Sequence, residues 1–228
     1  MTRILLIETS TSTLSTALSE DGVLVEERVC TEPRQQAALT APLVKELLDE
    51  RGLQVKDCDA VCVSAGPGSY TGLRVGVSTA KGLAFGAGVP LLSVGTLDTL
   101  VAGVADASAY RYIVPMLDAR RMEVYTAVFS PSGERLTPVE AKVVEADAFA
   151  AYLAEGEVLF VGDGALKCRE TLSHPHAHFR AANPMARDMA GLAFAAFQAG
   201  RFENLAYFEP FYLKDFVATV SKKSLWAK

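Results

Sequence analysis

Histidine and cysteine are scarce in this 228-residue sequence, which limits the chemistry it can perform. The three histidines, His174, His176 and His178, share one segment with a proline, which favours a loop over a metal site. Since this segment is predicted as a loop, we expect no helix with a His-x-x-x-His pair, and no Gly-x-Ser-x-Gly motif supports a Ser/His/Asp triad. The four cysteines match no zinc-site spacing. We predict no catalytic residue and no metal site.

An excess of positive charge and a long hydrophobic run are also missing. The formal net charge of −5 argues against a chain that grips a nucleic-acid backbone by itself, although it permits work on RNA beside a basic partner. No run approaches the roughly 20 apolar residues of a membrane span. Because Met1, Thr2 and Arg3 lead straight into a short apolar strand, we expect no secretory leader, and the few cysteines suit a reducing compartment. We expect a cytoplasmic protein.

The pattern of apolar residues runs through the chain twice. Each half opens with three alternating strands and later has a buried strand that ends in glycine. The first half is predicted to contain strands at 3–8, 14–19, 23–29, 60–66 and 90–94 and helices at 35–51, from the glycine motif to Gly86 or Gly88, and at 96–104. The second half is predicted to contain strands at 112–118, 123–129, 135–144 and 158–162 and helices at 146–153 and 185–199.

This repetition predicts an α/β protein with two lobes, each a mixed sheet with helices. We place the first lobe at 1–105 and the second at 106–228. The aromatic tail from about residue 207 is expected to pack back on the first lobe. A cleft between two such lobes is the default place for a ligand.

The stretch SAGPGSYTGLRVGVSTAKGLAFGAG, residues 64–88, has the form of a phosphate-binding loop. Glycines let backbone N–H groups turn toward an anion, and a helix N-terminus adds positive charge. The candidate anion-binding residues are Gly66, Gly68, Ser69 and Gly72. The stretch is neither a Walker A motif nor a Gly-x-Gly-x-x-Gly motif with a later ribose-binding acid. A tight strand-to-helix turn without a ligand explains the same glycines.

Other polar residues stand where such a ligand would lie. Glu8 ends the first strand and would hold magnesium through water, or merely cap the turn. Asp118 stands before two arginines at the turn of the second meander, which suits an anionic ligand and equally a structural salt bridge. Gly162 and Gly164 form a second glycine turn.

The helix after the glycine motif has no polar face, although a surface helix normally has one. Only Arg74 and Lys81 are charged between residues 73 and 87. The helix must therefore be covered on two sides. One side faces the sheet, and the other faces either a second helix of this chain or a partner protein.

Four segments together resemble the TsaB family of the actin/sugar-kinase/Hsp70-like superfamily. They are ILLIETST, SAGPGSYTGLRVGVSTAKGLA, LDARRMEVY and PFYLK, and the resemblance covers residues 1–130 and 210–214. It implies a two-lobed actin-like, ribonuclease H-like duplicated fold. The family usually has aspartate where this chain has Glu8. This difference argues further against a metal contact inherited by Glu8.

The resemblance also implies a function. TsaB proteins are non-catalytic subunits of the machinery that makes threonylcarbamoyladenosine beside the anticodon of tRNA. They pair with the catalytic subunit TsaD through two helices of the first lobe, and the ATPase TsaE joins them, so tRNA is met through the complex. Carried over to this chain, the pairing residues are Leu39, Leu43, Leu47, Leu73, Gly76, Val77, Thr79, Ala80 and Leu83. A homodimer is plausible when the partner is missing.

The alternative function is a small-molecule kinase or another ATP-dependent enzyme of the same superfamily. Glu8, Asp118 and the two glycine turns would then form its nucleotide site. We expect no tightly bound cofactor, and at most weak nucleotide binding at the cleft between the lobes or between subunits. The short length leaves little room for a substrate pocket, which favours the subunit over the enzyme.

Overall fold

The structure is a computed structural model that describes residues 1–214. The first half of the chain contains β1 (Arg3–Glu8), β2 (Leu14–Glu20), β3 (Val23–Cys30), α1 (Gln36–Asp49), β4 (Ala60–Ser64), α2 (Tyr70–Ala87), β5 (Leu91–Val94) and α3 (Thr96–Ala102). The second half contains β6 (Tyr112–Asp118), β7 (Glu123–Thr126), β8 (Glu140–Val143), α4 (Ala150–Glu155), β9 (Val158–Val161), β10 (Ala177–Arg180) and α5 (Ala190–Gln198).

The strands form two five-stranded sheets with the same internal order. The first sheet runs β3-β2-β1-β4-β5, and the second, read from its other edge, runs β8-β7-β6-β9-β10. In both sheets the first three strands form an antiparallel meander, and the last two join in parallel. This repetition confirms the predicted two-lobed α/β fold.

The central strand β1 is buried on both sides, as strands are in sheets covered by helices on both faces. Leu5 and Ile7 face α1 and α2, whereas Ile4 and Leu6 face α5, and all four are fully buried. Since alternate residues of a strand point to opposite faces, the apolar run of β1 fills two cores at once.

Two helices pack on the sheet of the other half of the chain. Leu97 and Leu100 of α3 enter the core of the second sheet, and Ala190 and Ala193 of α5 enter that of the first. The chain therefore returns to the first lobe at about residue 186, earlier than the expected 207. Residues 203–214 continue along this lobe, and the rest of the tail, 215–228, lies outside the described residues. The limits 1–105 and 106–228 stay a prediction.

Other differences from the sequence-based elements lie in the second half. β10 falls in a segment predicted as a loop, because an edge strand tolerates the polar residues and the nearby proline. β8 covers only the end of the strand predicted at 135–144, and α4 begins at Ala150 rather than 146. A short 3₁₀ turn at Ala186–Met189 replaces the start of the helix predicted at 185–199. Among residues 1–214, no helix combines the length and hydropathy that crossing a bilayer requires.

Candidate functional site

The glycine loop packs directly on the turn between β1 and β2. A Cβ atom added at Gly68 would lie 2.4 Å from the Ser10 carbonyl oxygen, and one at Gly72 would lie 2.1 Å from the Thr9 carbonyl oxygen. At Gly76 the added atom would lie 2.2 Å from Thr9 Oγ1. These three glycines therefore let α2 approach the turn more closely than any other residue would permit.

Hydrogen bonds also join the glycine loop to the turn between β1 and β2. Ser69 caps α2 by accepting a bond from the Gly72 N–H at 3.3 Å, and its own N–H donates to the Ser10 carbonyl at 2.7 Å. At Gly66, with φ of +112°, the Phe211 carbonyl oxygen lies 2.7 Å from where a Cβ would stand. The space and several donors of the loop are thus taken by the chain itself. In this conformation Gly66, Gly68, Ser69 and Gly72 do not fit a phosphate group.

Glu8 is fully buried behind this loop. Its Oε1 accepts hydrogen bonds from the Ser10 N–H at 2.6 Å and from the Ser64 hydroxyl at 3.0 Å, whereas Oε2 has no hydrogen-bond partner among the described residues. Burial raises the pKa of Glu8 to about 7. The buried carboxyl therefore ties the β1–β2 turn to β4 through Ser10 and Ser64.

The second lobe has a matching glycine turn after β9. A Cβ at Gly162, whose φ is +140°, would lie 2.1 Å from the Met116 carbonyl oxygen. A Cβ at Gly164 would lie 3.0 Å from the Asp118 nitrogen, and that nitrogen donates to Asp163 Oδ1 at 2.9 Å. These glycines too serve close contact within the chain.

Asp118 forms a salt bridge with Lys167 and accepts a hydrogen bond from the Arg120 N–H at 2.8 Å. Partial burial acts to raise the pKa of Asp118, but the Lys167 ammonium and the Arg120 N–H outweigh it and lower that pKa below its usual value. Asp118 therefore forms a salt bridge, but with Lys167 and not with the arginines of its own turn. Within residues 1–214, Asp118 and Glu8 form no hydrogen bond or ion pair with each other.

The helices α1 and α2 lie side by side on the first sheet, and several predicted pairing residues face that sheet. Leu47, Leu73, Val77 and Ala80 are at most 3% exposed, and Gly76 is buried against Thr9. A partner cannot reach these five residues in this conformation, so their assignment to the interface was wrong. An apolar helix gives no periodic signal of which face meets the sheet, which explains the error.

The opposite side of the helix pair is available to a partner. The predicted residues Leu39, Leu43, Thr79 and Leu83 are partly exposed. Beside them Phe85 is 80% exposed, and added Cβ atoms at Gly82 and Gly86 would meet nothing within 4 Å. We call the set Leu39, Leu43, Thr79, Gly82, Leu83, Phe85 and Gly86 the outer face. Phe85 was not among the named pairing residues, although it ends the part of α2 that was predicted to pair with the partner.

The three histidines lie at the edge of the second sheet. His178, on β10, is hydrogen-bonded to Glu157, and the Nδ1 atom of His176 is 3.0 Å from the Leu153 carbonyl oxygen. The His174 ring accepts a hydrogen bond from the His176 N–H at 3.2 Å. In the described part of the chain, no three histidine, cysteine, aspartate or glutamate side chains are arranged to hold a metal ion.

Comparisons with known proteins place these features in a family. A family model described as "TsaD: tRNA N6-adenosine threonylcarbamoyltransferase" matches residues 31–224. The tRNA threonylcarbamoyladenosine biosynthesis protein TsaB of Escherichia coli is 30% identical over 95% of this chain and 96% of its own length.

Solved structures agree with this result. YeaZ from Pseudomonas aeruginosa superposes with a TM-score of 0.80 at 27% identity, over 93% of this chain and all of that chain. The activator of 2-hydroxyisocaproyl-CoA dehydratase from Clostridium difficile superposes with a TM-score of 0.51 at 9% identity, over 87% of this chain and 97% of that chain, and shows the fold alone.

Proposed function

The chain belongs to the TsaB family of tRNA threonylcarbamoyladenosine biosynthesis proteins, and we propose that it is the non-catalytic subunit that pairs with a TsaD-like transferase. The transferase would carry out threonylcarbamoyl transfer to the adenosine beside the tRNA anticodon. The pairing would use the outer face of α1 and α2.

The observation that carries this proposal is the exposed apolar strip on α2. A phenylalanine that is 80% exposed is costly to leave in water, and each glycine in a helix interior costs about 1 kcal/mol relative to alanine. Gly82 and Gly86 have no close neighbour in this chain that would require a glycine. A helix of another protein that packs closely over them supplies a reason for both features.

The closed glycine loop supports a non-catalytic role. Ser69 and Gly72 bond within the loop and to the β1–β2 turn, and Glu8 is buried. A kinase would need this loop to receive nucleotide phosphates, so no observation favours the ATP-dependent alternative.

The proposed complex has further members. We expect a TsaE-like ATPase to join the pair, tRNA to bind the assembled complex in the cytoplasm, and a homodimer to cover the outer face when the partner is absent. A stable pair of proteins usually buries about 800 Å² on each partner, and two adjacent helices can provide a surface of this size.

The test is threonylcarbamoyl transfer to a tRNA transcript by the other pathway proteins, with and without this chain. We expect activity only when the chain is present. Phe85→Glu should lower partner affinity at least tenfold, since a carboxylate would be buried there without a partner. Tyr207→Glu is the matched control, because Tyr207 is 83% exposed and lies outside the outer face. Equal activity without the chain would refute the proposal.

A further inference from the structure

A row of cationic and aromatic side chains begins at the first turn of α2. The Arg74 guanidinium lies 5.2 Å from the centre of the Tyr70 ring and donates a 2.9 Å hydrogen bond to its hydroxyl. The Tyr70 ring lies 4.9 Å from that of Tyr212 at an interplanar angle of 35°. Lys214, two residues further along the tail, forms an ion pair with Glu123 at the start of β7. The row therefore reaches from the first lobe to the second.

Two arginines continue the row at the turn between β6 and β7. Arg120 and Arg121 are exposed, and the Arg120 carbonyl accepts a 3.1 Å hydrogen bond from the Glu123 N–H. Their φ angles are +74° and +50°, a region that residues with a Cβ atom rarely adopt. Asn-Gly would form such a turn with less strain. The hairpin turn explains the positive φ angles but not the choice of two arginines, and this choice points to function.

The cations of this row outnumber the described acids beside them, although the whole chain is acidic. Lys167 and Lys214 neutralise the nearby carboxylates Asp118 and Glu123. Arg74, Arg120 and Arg121 form no salt bridge with any described residue, whereas most described lysines and arginines do. Among the described residues, Asp163 beside Asp118 and Glu209 close to Tyr212 are further acids at this row.

Guanidinium groups beside exposed aromatic rings are the chemistry that recognises single-stranded RNA. Arginine binds the phosphate backbone, and unstacked bases of a loop stack on tyrosine or on a guanidinium plane. We propose that the strip formed by Tyr70, Arg74, Arg120, Arg121 and Tyr212 contacts the RNA loop that carries the target adenosine. This proposal rests on the proposed function.

Tyr70 of the strip and Phe85 of the outer face lie at opposite ends of α2, whereas Thr79 lies near the middle of the helix. Tyr70 is the first residue of the helix and Phe85 the sixteenth, so their Cα atoms are about 22 Å apart along the axis. A partner seated on Phe85 therefore leaves Arg120 and Arg121, on the other lobe, free for RNA. The net acidity of the chain means that the strip orients RNA within the complex and does not bind it strongly alone.

The decisive experiment uses the assembled complex and an unmodified tRNA transcript. Fluorescence anisotropy measures the dissociation constant at several salt concentrations, with complexes isolated by size exclusion. Arg120→Glu/Arg121→Glu should weaken binding at least tenfold and make its salt dependence shallower, because two phosphate contacts are lost. Arg169→Glu/Arg201→Glu is the matched control with the same change of charge at exposed arginines outside the strip, and it should bind as the wild type does.

A second variant separates stacking from charge. Tyr212→Leu should weaken binding about fivefold while the salt dependence stays unchanged, since a base loses its stacking partner but no phosphate contact is removed. Both variants should still co-elute with the partner.

The controls distinguish this proposal from the one on which it rests. If transfer does not need the wild-type chain, the proposed function fails. If transfer needs the chain but the two strip variants bind tRNA with wild-type affinity and salt dependence, the RNA contact is refuted. A loss of affinity equal to that of the Arg169/Arg201 control would refute it as well, because general charge would then explain the effect.

Discussion

The two lobes have the same strand order but very different helices. In the first lobe the strand before the glycine turn is followed by the 18-residue α2, whereas in the second lobe β9 is followed by a single 3₁₀ turn at Leu166–Cys168. Similarly, α1 has 14 residues and α4 has six. The two sheets therefore preserve the duplication, whereas the helices differ in length between the lobes and suggest different roles. The lobe with the long helices is the one that exposes an apolar face.

The glycine turns of the two lobes, unlike the helices, are similar in both backbone conformation and contacts. Gly66 and Gly162 both have positive φ angles, and a carbonyl oxygen of the chain stands against each one, from Phe211 and Met116 respectively. In both lobes the glycine marks close contact between two parts of one chain. A glycine-rich turn after a buried strand is therefore weak evidence for a phosphate unless the surrounding backbone leaves space.

The largest effect is expected from a variant that places a charge between α2 and the first sheet. Ala80→Arg should cost about 5 kcal/mol or more of folding free energy, because Ala80 is fully buried against β4 and β1 neighbours in the first core. Ser78→Arg, two residues earlier and exposed, should change stability by less than about 0.5 kcal/mol. Urea denaturation followed by circular dichroism measures both. A folded Ala80→Arg variant would show that the assigned buried face is incorrect.

One acid from each lobe, the buried Glu8 and the half-exposed Asp118, should respond to pH in opposite directions. The pKa of Glu8 is raised from its ordinary 4.5 to about 7, so the folded state binds the additional proton between these values. The stability contribution of Glu8 should therefore fall by about 3 kcal/mol as pH rises from 4.5 to 7, and level off above. The pKa of Asp118 is lowered, so its smaller contribution is lost as pH falls.

Glu8→Gln isolates this effect, since glutamine has a similar shape but does not titrate. The difference in unfolding free energy between wild type and variant should change across pH 4.5 to 7, while the titration of Asp188, whose pKa is also raised, cancels in the comparison. Parallel curves for the two proteins across that range would contradict a raised pKa at Glu8.

The smallest expected effect has the opposite sign. Gly82→Ala/Gly86→Ala should stabilise the isolated chain by about 1 kcal/mol per site, because alanine favours the helix and nothing in the chain is within 4 Å of the added atoms. The same variant should weaken pairing with the transferase, since the added methyl groups keep the partner helix away. Thermal unfolding and calorimetric titration measure the two quantities. An unchanged affinity for the transferase would show that Gly82 and Gly86 are not part of the interface.

Local patterns predicted most elements of the first lobe. The alternation or apolar runs of β1, β2 and β4 and the glycines that flank α2 were sufficient, because burial on one or two faces leaves a periodic signal. The orientation of α2 could not be predicted, since a helix that is apolar all round fits the sheet with any face. β10 was missed because an edge strand satisfies only part of its backbone and needs few apolar residues.

The candidate site was harder to predict for a physical reason. The sequence shows that residues 66–76 are rich in glycine, but it does not contain the identity of the group that approaches these glycines. That group is Thr9, Ser10 and Phe211, which lie far away in the chain. The crossed packing of α3 and α5 depends equally on contacts between distant segments.

The return of the chain to the first lobe also has a consequence for synthesis. Ala190 and Ala193 complete one core of the first sheet, Glu203 pairs with Leu91, and the Phe211 N–H bonds to the Ala65 carbonyl. A nascent chain that has only its first hundred residues outside the ribosome would expose one apolar face of a finished sheet. The lobe that begins translation is therefore among the last parts of the molecule to become stable, and until then it is a natural client for chaperones.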